Sequence, residues 1–189
     1  MFKKVGLLIM AVVLSAGLAG CGADKTPISI EIELEKGGII EAELYPEIAP
    51  ITVANFTKLI DESFFDGLIF HRVYPGFMIQ GGGFMTDMTH KQAEAIKGEF
   101  KENGVKNNLK HERGMLSMAR TPAKDSASSQ FFIMHADNEG LDGEYAAFGK
   151  VISGMEYVDE IATTPNDKSE RGIAGRPLED QIIKTIRRK

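Results

Sequence analysis

The chain has a single cysteine, Cys21, in 189 residues, so no intramolecular disulfide can staple it. It also lacks a positive balance. Formal net charge is −5, and setting aside Lys3 and Lys4 leaves 20 basic against 27 acidic residues, near −7. A nucleic-acid partner needs a basic face, so that class is set aside and the charge reads as solubility. The longest apolar run, Val5 to Ala19, is short for a membrane-spanning helix. No Gly-x-Ser-x-Gly elbow frames Ser117, Ser128 or Ser129, which argues against a serine hydrolase. Gly81-Gly82-Gly83 is not followed by Gly-Lys-Ser/Thr, so a phosphate loop is not expected; a turn or close backbone approach is. His90 and His111 stand far apart with no clustered ligands, so no metal site is expected. No internal repeat is visible.

What is present begins with a processing signal. Lys3 and Lys4 form a positive start, Val5 to Ala19 has signal-peptide length, and Leu18-Ala19-Gly20-Cys21 resembles the bacterial lipobox. Residues 1–20 are therefore expected to be a removed leader. Cys21 is expected to be lipidated and to head a polar tether to residue 27, with one domain over residues 28–189. Acyl chains contribute about 0.8 kcal/mol per buried CH₂, and two or more hold a protein stably on a bilayer. The expectation is an extracytoplasmic, membrane-anchored lipoprotein, on the cell membrane or the periplasm-facing outer membrane.

Ile28, Ile30, Ile32 and Leu34 alternate with polar residues, Lys36-Gly37-Gly38 turns the chain, and Ile40, Ala42 and Leu44 resume the alternation. That period of two predicts a β-hairpin. Pro50 fits the first turn of a helix, and Val53, Phe56 and Ile60 follow at helical spacing, predicting a helix over 50–61. Short strands are predicted near 69–73, 77–81, 115–119, 130–135, 146–151 and 181–186, with a second helix around Met155, Val158 and Ile161. Many short strands with two helices predict a mainly β domain, an antiparallel barrel or sandwich. Thr86 to Glu112 is a long polar excursion, and Asp167, Lys168 and Glu170 mark a second exposed loop.

The densest chemistry lies in Phe70-His71-Arg72-Val73-Tyr74-Pro75-Gly76-Phe77-Met78-Ile79-Gln80-Gly81-Gly82. It sets a permanent cation, Arg72, near an apolar pair and an amide, with no nucleophile, acid pair or metal cluster. Such a set suits rotation about a peptide bond, in which no covalent bond is made or broken. His71 should point to the opposite strand face from Arg72 and reads as structural. An isolated strand arginine is more often a solvated charge, and phenylalanines are more often core.

The stretch resembles the signature of the cyclophilin family of peptidyl-prolyl isomerases. So do Gly114–Ala119, Ser128–Ile133, Leu141-Asp142-Gly143, Phe148–Val151 and Gly154-Met155, in the family's order across nearly all of residues 28–187. The resemblance implies a closed eight-stranded antiparallel β-barrel capped by two α-helices. It implies catalysis by Arg72 with Gln80, and a proline pocket of Phe77, Met78, Phe132 and Leu141, bordered by Ala119 and Gln130. Tyr145 stands where many members have histidine and keeps an aromatic wall; Gly140 stands where many eukaryotic members have tryptophan, so tight cyclosporin binding is not expected. Strand alternation then sends Phe131 to the core and Phe132 to the pocket. The partners implied are proline-containing polypeptides, acted on by a monomer without a cofactor. A non-catalytic binding module or holdase could use the same groove, but would not require a cation at the amide nitrogen. A solute-binding lipoprotein would share the lipobox but is usually larger and two-lobed.

Overall fold

A computed structural model describes residues 26–167 and 175–189. The expected leader, Cys21, and the loop positions Lys168 and Glu170 lie outside the described residues. β1 (Ile28–Leu34) and β2 (Ile39–Leu44) form the hairpin that the alternation predicts. Ile30, Ile32, Ile40, Ala42 and Leu44 are fully buried. The other pleat face of β1 turns Glu31 and Glu33 outward, where β10 (Ile183–Arg188) meets them with Arg187 and Lys184 at 2.7–2.9 Å.

α1 (Pro50–Asp61) has Pro50 in its first turn. Its N-cap, Ala49, offers no side-chain acceptor. Buried Glu99 supplies one from a distant loop, accepting from Ile51 N at 3.0 Å and Thr52 N at 2.7 Å. A carboxylate there satisfies free N–H groups and complements the helix dipole. Phe56 drops from α1 onto Phe148 at 5.1 Å and Phe131 at 5.3 Å, the centre of the main core.

The remaining elements are β3 (Arg72–Tyr74), β4 (Met78–Gly81), β5 (Met115–Met118), β6 (Phe131–Met134), β7 (Ala147–Ser153) and α2 (Met155–Thr163). One antiparallel sheet runs β10-β1-β2-β7-β5-β6-β4-β3. The sheet is not the closed barrel expected from the sequence but an open half-barrel with β10 and β3 as its ends. No ladder joins them among the described residues; they approach through an isolated Ile69–Ile182 bridge. The segment before β3 touches each neighbour through a single N–H, Ile69 donating to Phe84 O and Phe70 to Gln181 O. A further two-stranded ribbon, β8 (Asn166–Asp167) with β9 (Arg176–Pro177), was not signalled by any alternation.

The long polar excursion is not a solvated loop throughout. Glu99, Phe100, Asn107 and His111 are buried, and the Asn107 amide donates to Glu99 O and Ala147 O. Among the described residues no helix is long and apolar enough to cross a membrane.

Candidate active site

Strand alternation separates two apolar clusters. Phe131 joins Phe56, Phe65 and Phe70 in the main core, while Phe132 faces Met78, Met115, Met134 and Ala147 in a second cluster. Phe77, Leu141 and Tyr145 pack on that second cluster without being fully buried. Between them opens a cavity of about 150 Å³. It is smaller than the roughly 300–1,000 Å³ of sites for drug-sized ligands, so it suits a ring-sized group.

Eight of the residues singled out in the sequence line this cavity: Arg72, Phe77, Met78, Gln80, Ala119, Phe132, Leu141 and Tyr145. β3 and β4 carry Arg72, Met78 and Gln80, and the turn between them carries Phe77; Arg72 lies directly opposite Gln80 and Tyr74 opposite Met78. Arg72 Nη1 donates to Gln80 Oε1 at 3.3 Å and lies 4.0 Å from Met78 Sδ. Its Cζ sits 4.7 Å from the Tyr74 ring centre. Gln130 stands beside the cavity and accepts from Gln80 Nε2 at 2.9 Å, which fixes the Gln80 amide so that its oxygen faces Arg72. The glycine run makes this possible by close approach: a Cβ on Gly83 would lie 2.4 Å from the Gln130 side chain.

Phe132 forms the floor. Tyr145 meets it edge-on at 5.8 Å, and the His111 ring stacks behind it at 6.0 Å. His111 Nδ1 lies 3.2 Å from Asp142 Oδ1, and its Nε2 lies 3.0 Å from Ser117 Oγ. The order matches a hydrolytic triad, but Ser117 is fully buried, so no substrate carbonyl can reach its oxygen. Burial holds the His111 ring below the ordinary histidine range despite Asp142. Burial opposes ionisation of Asp142, yet hydrogen bonds from Lys110 and His111 outweigh it and keep the carboxyl low. His71 points away from the cavity, 2 % exposed and edge-on to Phe84 at 4.7 Å. Burial pushes it down to about 4, helped by the neighbouring Arg72 charge.

His90 and His111 are not brought together. His90 lies beside Gln92 and Gln130, while His111 is buried against Asp142. Among the described residues no group of three or more His, Cys, Asp or Glu could hold a metal ion.

Sequence reasoning missed Arg120 and Tyr74. Arg120 lines the cavity, with its Cζ 4.7 Å over the Tyr145 ring and 4.9 Å over Phe100. Its Nε donates to Glu144 O at 3.0 Å, so this cation braces the Tyr145 wall. It falls past the end of β5, where no periodic rule assigns a direction. Tyr74 was legible, because it shares a strand face with Arg72.

An open antiparallel half-barrel with an arginine on the rim of a small apolar pocket defines a β-sheet domain built to take a compact apolar group beside a cation. The comparisons make this specific. Residues 29–188 match the model for cyclophilin-type peptidyl-prolyl cis-trans isomerases. A peptidyl-prolyl cis-trans isomerase of Acinetobacter baylyi is 45% identical over 171 residues, 87% of this chain and 85% of that protein. Peptidyl-prolyl cis-trans isomerase B of Bacillus subtilis is 49% identical over 129 residues, 68% of this chain and 87% of that protein. The crystal structure of a Cryptosporidium parvum cyclophilin-type isomerase in the presence of the dipeptide Ala-Pro superposes with a TM-score of 0.72 at 31% identity, covering 85% of this chain and 98% of that one. The chain belongs to the cyclophilin family and is a peptidyl-prolyl cis-trans isomerase.

Proposed function

We propose that the cavity holds the proline ring of an X–Pro segment and that Arg72 accelerates rotation about the preceding amide. The bond is planar because the nitrogen lone pair is shared with the carbonyl, and rotation faces a barrier of about 18–20 kcal/mol. Uncatalysed exchange takes tens to hundreds of seconds. In the twisted state the lone pair returns to nitrogen. A donor aimed there binds the twisted amide better than the planar one, and only such a difference speeds the step. Arg72 is suited to this by a rigid, always-charged fork. The twisted amide has also lost resonance polarity, so the apolar cup of Phe77, Met78, Phe132, Leu141 and Tyr145 solvates it well. Gln80 orients Arg72, and Gln130 orients Gln80.

The observation that carries this reading is the pairing of an open cavity with the guanidinium held at its edge by Gln80. Proline-isomer exchange in a model peptide, with the domain lacking residues 1–21, tests it. Acceleration over the spontaneous rate is expected; peptide binding with no gain in rate would turn the reading into that of a binding module.

The setting belongs to the same proposal. Residues 1–20 are a leader, Cys21 carries the lipid, and the isomerase domain works as a monomer on the outer side of the membrane. There it assists translocated chains whose folding waits on proline isomers. The lipobox-like Leu18-Ala19-Gly20-Cys21 supports this. Metabolic labelling with a fatty-acid probe should mark the wild type and spare Cys21→Ser; label on that variant counts against the anchor.

A further inference from the structure

We propose that His135 is a positioning residue for Phe77, clamping the β3–β4 turn in the form that shapes the pocket. This rests on the reading of the cavity as the proline site. The turn is Tyr74-Pro75-Gly76-Phe77, closed by Phe77 N donating to Tyr74 O at 3.0 Å. Pro75 at its second position and Gly76 at its third, with φ of 77°, are the marks of a type II turn. Type I and type II differ by a flip of the central peptide, whose N–H belongs here to Gly76. That N–H is not used by the turn itself. It donates to His135 Nδ1 at 2.9 Å.

The same residue holds the next one. His135 N donates to Phe77 O at 2.9 Å, and Ala136 N does so at 3.3 Å. One histidine, just past the end of β6, thus fixes the flip of the Pro75–Gly76 peptide and the carbonyl of Phe77. Pro75 and Gly76 are exposed, so core packing does not hold them.

The ring is itself held. With Gly76 donating to Nδ1, the ring proton sits on Nε2, which lies 3.3 Å from Asp159 Oδ1 on α2. Arg113 donates to Asp159 Oδ2 at 2.8 Å and to the His135 carbonyl at 2.7 Å. The contacts to Oδ1 are not aligned as hydrogen bonds, and the one from Arg113 acts as a charge contact. The hydrogen bond from Arg113 keeps Asp159 below the usual carboxylate range, against partial burial. A chain of contacts therefore runs from α2 through Asp159, His135 and Gly76 to Phe77 at the pocket.

The test compares His135→Leu, which removes the acceptor, with His135→Asn, whose amide oxygen falls near the place of Nδ1. Loss of one net hydrogen bond should weaken binding of a proline-containing peptide about threefold to tenfold in the leucine variant, with kcat within about twofold. The asparagine variant should bind within about twofold of wild type. A leucine variant that binds like wild type, or an asparagine variant as weak as leucine, overturns the clamp. Hydrogen exchange of the Gly76 amide in the wild-type protein gives a second reading that needs neither variant nor activity. The amide should exchange at least about tenfold more slowly than in a free peptide, and exchange at the free-peptide rate overturns the clamp even if the leucine variant does not fold. A wild type that binds no proline peptide, yet protects Gly76, refutes the pocket assignment and not the bond.

Discussion

Replacing Arg72 by alanine separates catalysis from folding. The side chain leaves β3 on the pocket face, while Val73 between Arg72 and Tyr74 is fully buried in the core. Truncation removes the guanidinium from Gln80 Oε1, Met78 and Tyr74. The Gln80 amide keeps its own bond to Gln130, and its oxygen borders an open cavity where water can replace the lost donor. The cost in stability should therefore stay within about 1 kcal/mol, as for surface changes that disturb no core. A hydrogen bond from a charged group contributes about 1.5–3 kcal/mol. If it forms only to the twisted amide, its loss lowers kcat/KM roughly tenfold to a hundredfold. Arg72→Lys keeps the charge but not the planar fork, and should recover only part of the rate. The assay is peptide isomer exchange followed by NMR, with denaturant unfolding of each variant as the control. An alanine variant within about threefold of wild type, folded and unchanged in stability, would refute the role given to Arg72.

Two further predictions concern the frame around the site. Glu99→Ala strips the acceptor from Ile51 and Thr52 at the start of α1 and should lower unfolding free energy by about 2–4 kcal/mol, with Glu99→Gln intermediate; urea unfolding checks this, and a loss below about 0.5 kcal/mol would show that the cap is idle. His71 is buried with its titration pushed down to about 4, below an unfolded value near 6.5. The unfolded chain takes up a proton first, so stability present above pH 6.5 is lost as pH falls towards 4, by up to about 3 kcal/mol. His71→Asn should flatten that part of the stability profile, and a variant whose profile falls as steeply as wild type between pH 6.5 and 4 would exclude His71 as its source.

Much of the framework was legible because it is local. Alternation marked β1 and β2, and Pro50 with Val53, Phe56 and Ile60 marked α1 over its observed span. The opposite fates of Phe131 and Phe132 follow from the two-residue period of a strand. Eight of the nine cavity-lining residues, all but Arg120, were legible for another reason: the blocks from Phe70 to Leu141, with Tyr145 just beyond, resemble those of a family, and their order carried the positions across.

The closed barrel was the expectation that failed, because sheet closure depends on whether two distant edges share a register, and no local pattern encodes that. The same reason hides the supports of the site. Glu99 caps a helix 47 positions away, His135 holds a turn 59 positions away, and Arg120 braces Tyr145 from beyond a strand end. Each is a polar side chain with many possible partners in sequence and one in space. Backbone geometry lets the sequence alone decide which residues share a face; only the folded path of the chain decides which faces meet.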